Sequence, residues 1–349
     1  MILLLLEIYV TSELLFITPL NINPLKRYRK TISLYFLVYL LLQLLFDGDI
    51  LLPTPSWVSY APQALLGRNK VYWVETTSEN NWFPTVKEIE KIILKNKDKN
   101  YLLFLNSPNN PSGQICNNLK EISFIAKKYN IHVVEDACMG IGSRINKKSP
   151  GTFGIVNAFS MHPLKSLNVM GDGGMVVTNN KKIAEWLRKF RNHGMVDRDH
   201  IDFWGVNMRL QPLQAVVALE GLKTVRSVIK KRNINARQMD MGLKDLYPKV
   251  ILPKRLKNYH ETFALYMALF EKRDQLLKYL IKNKIEAKIH YPIPLHLQKA
   301  ARKLGYKKGD FKVAENQAKK LITLPIHQFI KVKQIKYVIK IITRFYSLN

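Results

Sequence analysis

Short unbroken apolar runs take turns with longer helical stripes along most of this chain. Residues 48–67, GDILLPTPSWVSYAPQALLG, read as a turn, a strand and a helix. Val86, Ile89 and Ile93 recur at helical spacing and predict an amphipathic helix over 85–95. Leu102–Leu105 is a buried-strand run, closed by the turn residues of NSPNNPSG (106–113). A helix from Leu119 to Tyr129 leads into a strand from Ile131 to Glu135, and Ile155–Phe159 forms another apolar run. Ile183, Trp186, Leu187 and Phe190 mark a further helix whose other face is basic. Strands alternating with helices predict an α/β fold with a mostly parallel sheet covered on both faces. Ligands in such sheets bind beyond the carboxyl ends of the strands.

From about Thr224 the text shifts to lysine-rich helices. There ETFALYMALF, RDQLLKYLIKN and IEAKIHYP read as strand, helix and strand, and Ile335, Val338, Ile339 and Ile342 stripe a last helix. The chain therefore divides into an atypical hydrophobic segment, 1–46, a large domain, 47–223, and a smaller α+β domain, 224–349. The first segment lacks the basic start of a signal peptide, and Glu7 and Glu13 interrupt it. Its second apolar stretch, Ile32–Phe46, falls short of the roughly 20 residues that span a bilayer. A buried helix feeding the sheet is expected there, not a membrane anchor.

With 349 residues, 47% of them hydrophobic, the chain can bury a sizeable core. Fifty-five basic against 26 acidic residues give a net charge of +29. The lysines are spread over many amphipathic segments, so a solvated surface is expected and not a nucleic-acid-binding stripe. The two cysteines, Cys116 and Cys138, suggest a reducing, cytoplasmic setting without disulfides. Packing is the expected role of Cys138. His162, His193, His290 and His296 show no metal-ligand spacing.

The chemistry concentrates in Val133–Gly174. One apolar run ends in Glu135 and Asp136; the next ends in Ser160, with Lys165 five residues beyond and Gly171, Gly173 and Gly174 closing the segment. An acid at one strand end with a hydroxyl and an amine beyond another is what pyridoxal 5′-phosphate requires. The acid pairs with the pyridine nitrogen, the amine forms the Schiff base, and the hydroxyl helps to hold the phosphate.

These motifs, VVEDA, FSMHPLK, GDGGMVVT, RNHG (191–194), GVNMRLQPLQA (205–215), HYPIPLHLQ (290–298) and LPIH (324–327), together resemble the DegT-like sugar aminotransferases, fold-type I pyridoxal phosphate enzymes. The likeness covers the C-terminal two-thirds of the chain. It implies Asp136 on the pyridine nitrogen, Ser160 on the phosphate and Lys165 as Schiff-base lysine. Trp57 would stack on the ring, with Tyr60 a weaker candidate. Asn207 would reach the phosphate of the neighbouring subunit's cofactor, with Arg209 nearby, which requires a homodimer. His290, Tyr291 and His296 would line the substrate side. The resemblance implies a nucleotide-linked keto-sugar and an amino-acid donor, glutamate, as substrates. Because lysine stands at 165, where dehydrating relatives carry histidine, transamination is expected over dehydration.

The pattern departs from the family in three places. No glycine precedes Gly48, so the Ser-Gly-Thr-like phosphate loop is missing. Met139 stands where a glutamine is usual. The segment NSPNNPSG resembles aspartate-aminotransferase-type (class I) enzymes, in which the asparagine matching Asn110 bonds the cofactor's phenolic oxygen. An amino acid aminotransferase and a non-catalytic dimerising relic are thus the alternative readings, with nucleic-acid binding third.

Overall fold

The structure is a computed structural model and describes residues 46–96 and 98–348. The hydrophobic segment expected over 1–46 lies outside these residues, except for Phe46.

Six strands form the central sheet: β1 (Asp49–Thr54), β2 (Val71–Glu75), β3 (Tyr101–Asn106), β4 (His132–Asp136), β6 (Val156–Ser160) and β7 (Gly174–Val177). They lie in the order β2-β1-β3-β4-β6-β7, all parallel except β7, which runs antiparallel to β6. β1 and β3 are buried along their whole length, as central strands covered on both faces must be. Because side chains alternate across a strand, Leu51, Leu103 and Leu105 enter one apolar layer while Ile50, Leu52, Leu102 and Phe104 enter the other. The first layer is closed by α2 (Val86–Ile93) and α3 (Leu119–Lys128), through Ile89, Ile93, Ile122 and Ile125. The second is closed by α1 (Tyr60–Leu66), through Tyr60, Ala61 and Ala64.

Capping marks the helix starts. The Thr85 side chain accepts from the Glu88 amide at the head of α2, and Asn180 accepts from Ile183 at the head of α4 (Lys181–Phe190). α5 (Pro212–Leu243) begins with proline and a capping box of Gln211 and Gln214. It is 32 residues long and runs unbroken past residue 224, so the compositional shift there falls inside one helix.

A second core forms where the end of α5 meets β8 (Val250–Ile251), β10 (Tyr266–Phe270), β11 (Leu321–Leu324), α6 (Arg273–Lys282) and α8 (Val332–Leu348). Its three strands lie antiparallel in the order β11-β10-β8. The strand expected over IEAKIHYP does not form. Only a lone bridge joins Lys288 to Thr323, because the segment turns away from the sheet after one pairing. Two-stranded β5 (Arg144–Ile145) with β9 (Tyr259–His260), and α7 (Lys312–Lys320) before β11, complete the fold. No helix among the described residues is long and apolar enough to cross a membrane.

Candidate active site

Asp136 ends β4 and Ser160 ends β6, on adjacent parallel strands in the register Asp136 to Ala158. Both side chains therefore emerge at the carboxyl edge of the sheet, where they are almost completely buried. Asp136 Oδ1 accepts the Cys138 amide at 2.8 Å, a local Asx turn, and Oδ2 accepts the Tyr60 hydroxyl. Ser160 Oγ accepts the His162 amide at 3.2 Å.

Beyond Ser160 the chain folds into a tight loop in which the Lys165 amide donates to the His162 carbonyl at 2.8 Å. Lys165 is partly buried and its amine has no hydrogen bond among the described residues. Burial pushes its pKa below the ordinary lysine value; the opposing pull of Cys138 and Asp136 is weaker, and the Arg232 cation adds to the depression. The Asp136 charge is thus among those that act on the Lys165 amine. Burial likewise lowers the pKa of His290, with Lys288 and then Lys165 contributing. His290 Nδ1 is paired with Thr323 Oγ1 at 2.7 Å.

Tyr291 is pushed up to about 12, first by burial, while the Asn110 amide opposes the rise and the Asp136 charge adds to it. Asn110 Nδ2 donates to the Tyr291 hydroxyl at 3.3 Å, and Asn110 Oδ1 is buried without a partner. Asp136, Lys165, His290, Tyr291 and Asn110 thus gather from four separate stretches of chain. A cleft of about 190 Å³ runs past His290 and Tyr291, walled by Trp73, Tyr306 and Phe311.

Other expected residues stand elsewhere or play a different part. His296 lines that cleft, but its ring nitrogen is held 3.0 Å from Glu315. Trp57 is partly buried, edge-on to Tyr60 at 5.3 Å, and packs against the layer containing Phe104 and Cys138. Tyr60 lies inside that layer with its hydroxyl on Asp136. Asn207 and Arg209 are exposed on the loop before α5, where Arg209 Nε donates to Asn207 Oδ1 at 2.9 Å and Nη1 to Asn192 Oδ1 at 3.1 Å. Gly194 of RNHG, at φ +76°, lets this loop close: a Cβ there would sit 1.6 Å from the Phe203 carbonyl oxygen. Met139 packs with Met267 and Leu321 as an apolar residue.

Two features escape a linear reading. Arg232, in the middle of α5, is 5% exposed and donates from Nη1 to the carbonyls of Leu164 and Phe263 and from Nε to Gln328. It follows Lys230 and Lys231 in sequence, so nothing local separates it from a surface cation. Ser166 Oγ, beside Lys165, is buried without a partner. Among the described residues no group of histidine, cysteine and carboxylates could hold a metal ion.

The DegT/DnrJ/EryC1/StrS aminotransferase family pattern matches residues 36–343, most of the chain. The chain belongs to that family. Among its relatives, a pleiotropic regulatory protein of Geobacillus stearothermophilus is 34% identical over 238 residues, 67% of this chain and 63% of the relative. The dTDP-3-amino-3,4,6-trideoxy-alpha-D-glucose transaminase of Streptomyces venezuelae is 34% identical over 202 residues, 58% of this chain and 53% of the relative. A crystal structure of S. venezuelae DesV in complex with a ketimine intermediate superposes with a TM-score of 0.79 at 27% identity, covering 90% of this chain and 83% of that chain. This family member therefore has the fold of the pyridoxal phosphate aminotransferases, and it spans less than two-thirds of the length of the curated relatives it matches first.

The family implies pyridoxal phosphate, and the residues present fit it. A carboxylate offers about four acceptor positions. Asp136 has two engaged, so acceptor capacity remains for a protonated ring nitrogen. Lys165 offers an unbonded amine, and the orphaned Asn110 Oδ1 awaits a donor. The expected phosphate-loop position lies before Gly48 and largely outside the described residues.

Proposed function

We propose that this chain is a pyridoxal phosphate-dependent aminotransferase that moves an amino group, from glutamate, to a nucleotide-linked keto-sugar, working as a homodimer in the cytoplasm. One observation carries the reading: a buried acid ends β4, a buried serine ends the adjacent parallel strand β6, and a lysine in the loop that leaves β6 follows five residues after that serine. The name of the Streptomyces transaminase supports the nucleotide-sugar part.

When bound, the cofactor supplies an aldehyde that captures amines and a ring that accepts electrons. Lys165, whose burial keeps Nζ unprotonated more readily than that of a surface lysine, would be the residue that holds the aldehyde end of the group and moves the proton at Nζ. Asp136 would keep the ring nitrogen protonated, because a carboxylate in a partly dry site favours a nearby cation. Ser160 and the partner's Asn207 would hold the phosphate, and Asn110 would bond the phenolic oxygen. Arg209, His290, Tyr291 and His296 orient the substrate, His296 through its place on the cleft wall.

The test combines purified protein, cofactor and borohydride, followed by peptide mass analysis. The expected adduct sits on Lys165 and is lost in Lys165→Ala. An adduct that persists at another lysine sinks the assignment. Absence of cofactor uptake at millimolar concentration favours the dimerising relic. Half-reactions then separate substrates: conversion of glutamate with a keto-sugar nucleotide supports the reading. Turnover confined to keto-acids supports the class I alternative suggested by Asn106–Gly113.

A further inference from the structure

Tyr60 opens α1 and is 1% exposed. Its ring stacks on Phe104 with centroids 5.2 Å apart, and its edge meets Trp57. Packing alone does not call for a tyrosine here. Among the described residues the surrounding layer includes Ile50, Leu52, Ala64 and Phe104, in which a phenylalanine ring would fill the same volume. A buried hydroxyl is costly unless it finds a partner. The partner it finds is the Asp136 carboxylate, at Oδ2.

The other oxygen, Oδ1, is held by the Cys138 amide from the same strand end. One local bond leaves a carboxylate free to turn about its last torsion, which is broad for aspartate. A second donor, delivered by a helix 76 residues away in sequence, stops that rotation.

We infer that Tyr60 is a positioning residue for Asp136: its hydroxyl fixes the plane of the carboxylate, leaving the remaining lone pairs for the ring nitrogen of the cofactor. The role toward the cofactor rests on the aminotransferase reading above; the grip on the acid does not.

Tyr60→Phe removes the hydroxyl and keeps the ring. In the cofactor-free protein, hydrogen exchange at the Cys138 amide is expected to quicken about tenfold, the size of one lost hydrogen bond to a charged group. Exchange at Leu103, in the neighbouring strand, is expected to stay as it was. In absorbance titrations the variant is expected to bind pyridoxal phosphate about tenfold more weakly, with an altered spectrum of the bound cofactor.

Phe104→Leu serves as the opposite control, loosening the stack while keeping the hydroxyl. It is expected to lower the thermal midpoint and leave the bound spectrum unchanged. Unchanged Cys138 exchange in Tyr60→Phe overturns the grip. Unchanged affinity and spectrum, or the same spectral change in both variants, overturns the role toward the cofactor. If the wild-type protein takes up no cofactor, the aminotransferase reading falls, while the exchange measurement still decides whether Tyr60 holds Asp136.

Discussion

Glu135 and Asp136 are neighbours in sequence and face opposite sides of β4, so one carboxylate serves the site and the other is walled into the protein. Burial lifts the Glu135 pKa from 4.5 to about 7, against the pull of backbone amides from Gly151, Phe153 and Gly154. Its folded value lies above its unfolded one, so between about pH 4.5 and about 7 the native state holds a proton that the unfolded chain releases. The contribution of Glu135 to stability is therefore full below that window and declines as pH rises through it. Glu135→Gln removes this dependence. Denaturation at pH 5 and pH 7 is expected to show the variant gaining about 2–3 kcal/mol relative to wild type across the interval. A wild-type-minus-variant difference that does not move with pH refutes the assignment. Lys165 is shifted by the same physics in the opposite sense, since desolvation disfavours whichever form carries charge.

Among the elements, α5 does the most to join the parts. Its first turns sit beside the Asp172 carbonyl through Gln214, its middle holds Arg232 against the Lys165 loop, and its last turns enter the second core. A clasp secures that last stretch. Arg255 bonds Asp240 of α5 through Nε at 3.0 Å and Nη2 at 3.3 Å, and Glu261 through Nη1 at 3.2 Å. Tyr266 adds its hydroxyl to Asp240 at 2.6 Å, and the guanidinium lies 4.9 Å from the Phe263 ring centroid. Truncating the cation would leave two largely buried carboxylates facing each other, which costs more than the pair itself contributes. Arg255→Met is expected to destabilise the protein by roughly 3 kcal/mol. Asp240→Asn in the same background should restore part of the loss, as a double-mutant cycle in denaturant would show. Independent, additive losses would mean that the clasp is not a unit.

At the scale of the whole molecule, the described residues leave apolar side chains exposed around the Asn207 loop. Trp204 is 89% and Leu213 82% exposed, and Val216 follows Leu213 at helical spacing on α5. Large exposed apolar areas mark surfaces that associate. On the dimeric reading this surface meets a second copy and brings Asn207 to the other copy's phosphate. Trp204→Ser with Leu213→Glu is then expected to sediment as a monomer at micromolar concentration and to lose most of its cofactor on gel filtration, while keeping its circular dichroism. A variant that still sediments as a dimer places the interface elsewhere. On the nucleotide-sugar reading, the excess of basic charge, +29 overall, acts at this scale too and should make capture of that anion weaken with salt.

Periodicity alone specified most elements of the sheet, because central parallel strands read as unbroken apolar runs and their covering helices as stripes. It also placed Asp136 and Ser160 at strand ends, since a polar residue closing such a run has nowhere else to go. It failed at IEAKIHYP, where apolar alternation occurs but the segment makes only the single bridge from Lys288 to Thr323 of the edge strand β11. Strand order, and with it the meeting of Asp136, Lys165, Asn110, His290 and Tyr291, was decided only by tertiary packing. So were the hydroxyl of Tyr60 beneath the acid and the burial of Arg232. A chain encodes local geometry through neighbours a few residues apart, whereas burial and charge at a site depend on what distant segments remove from water.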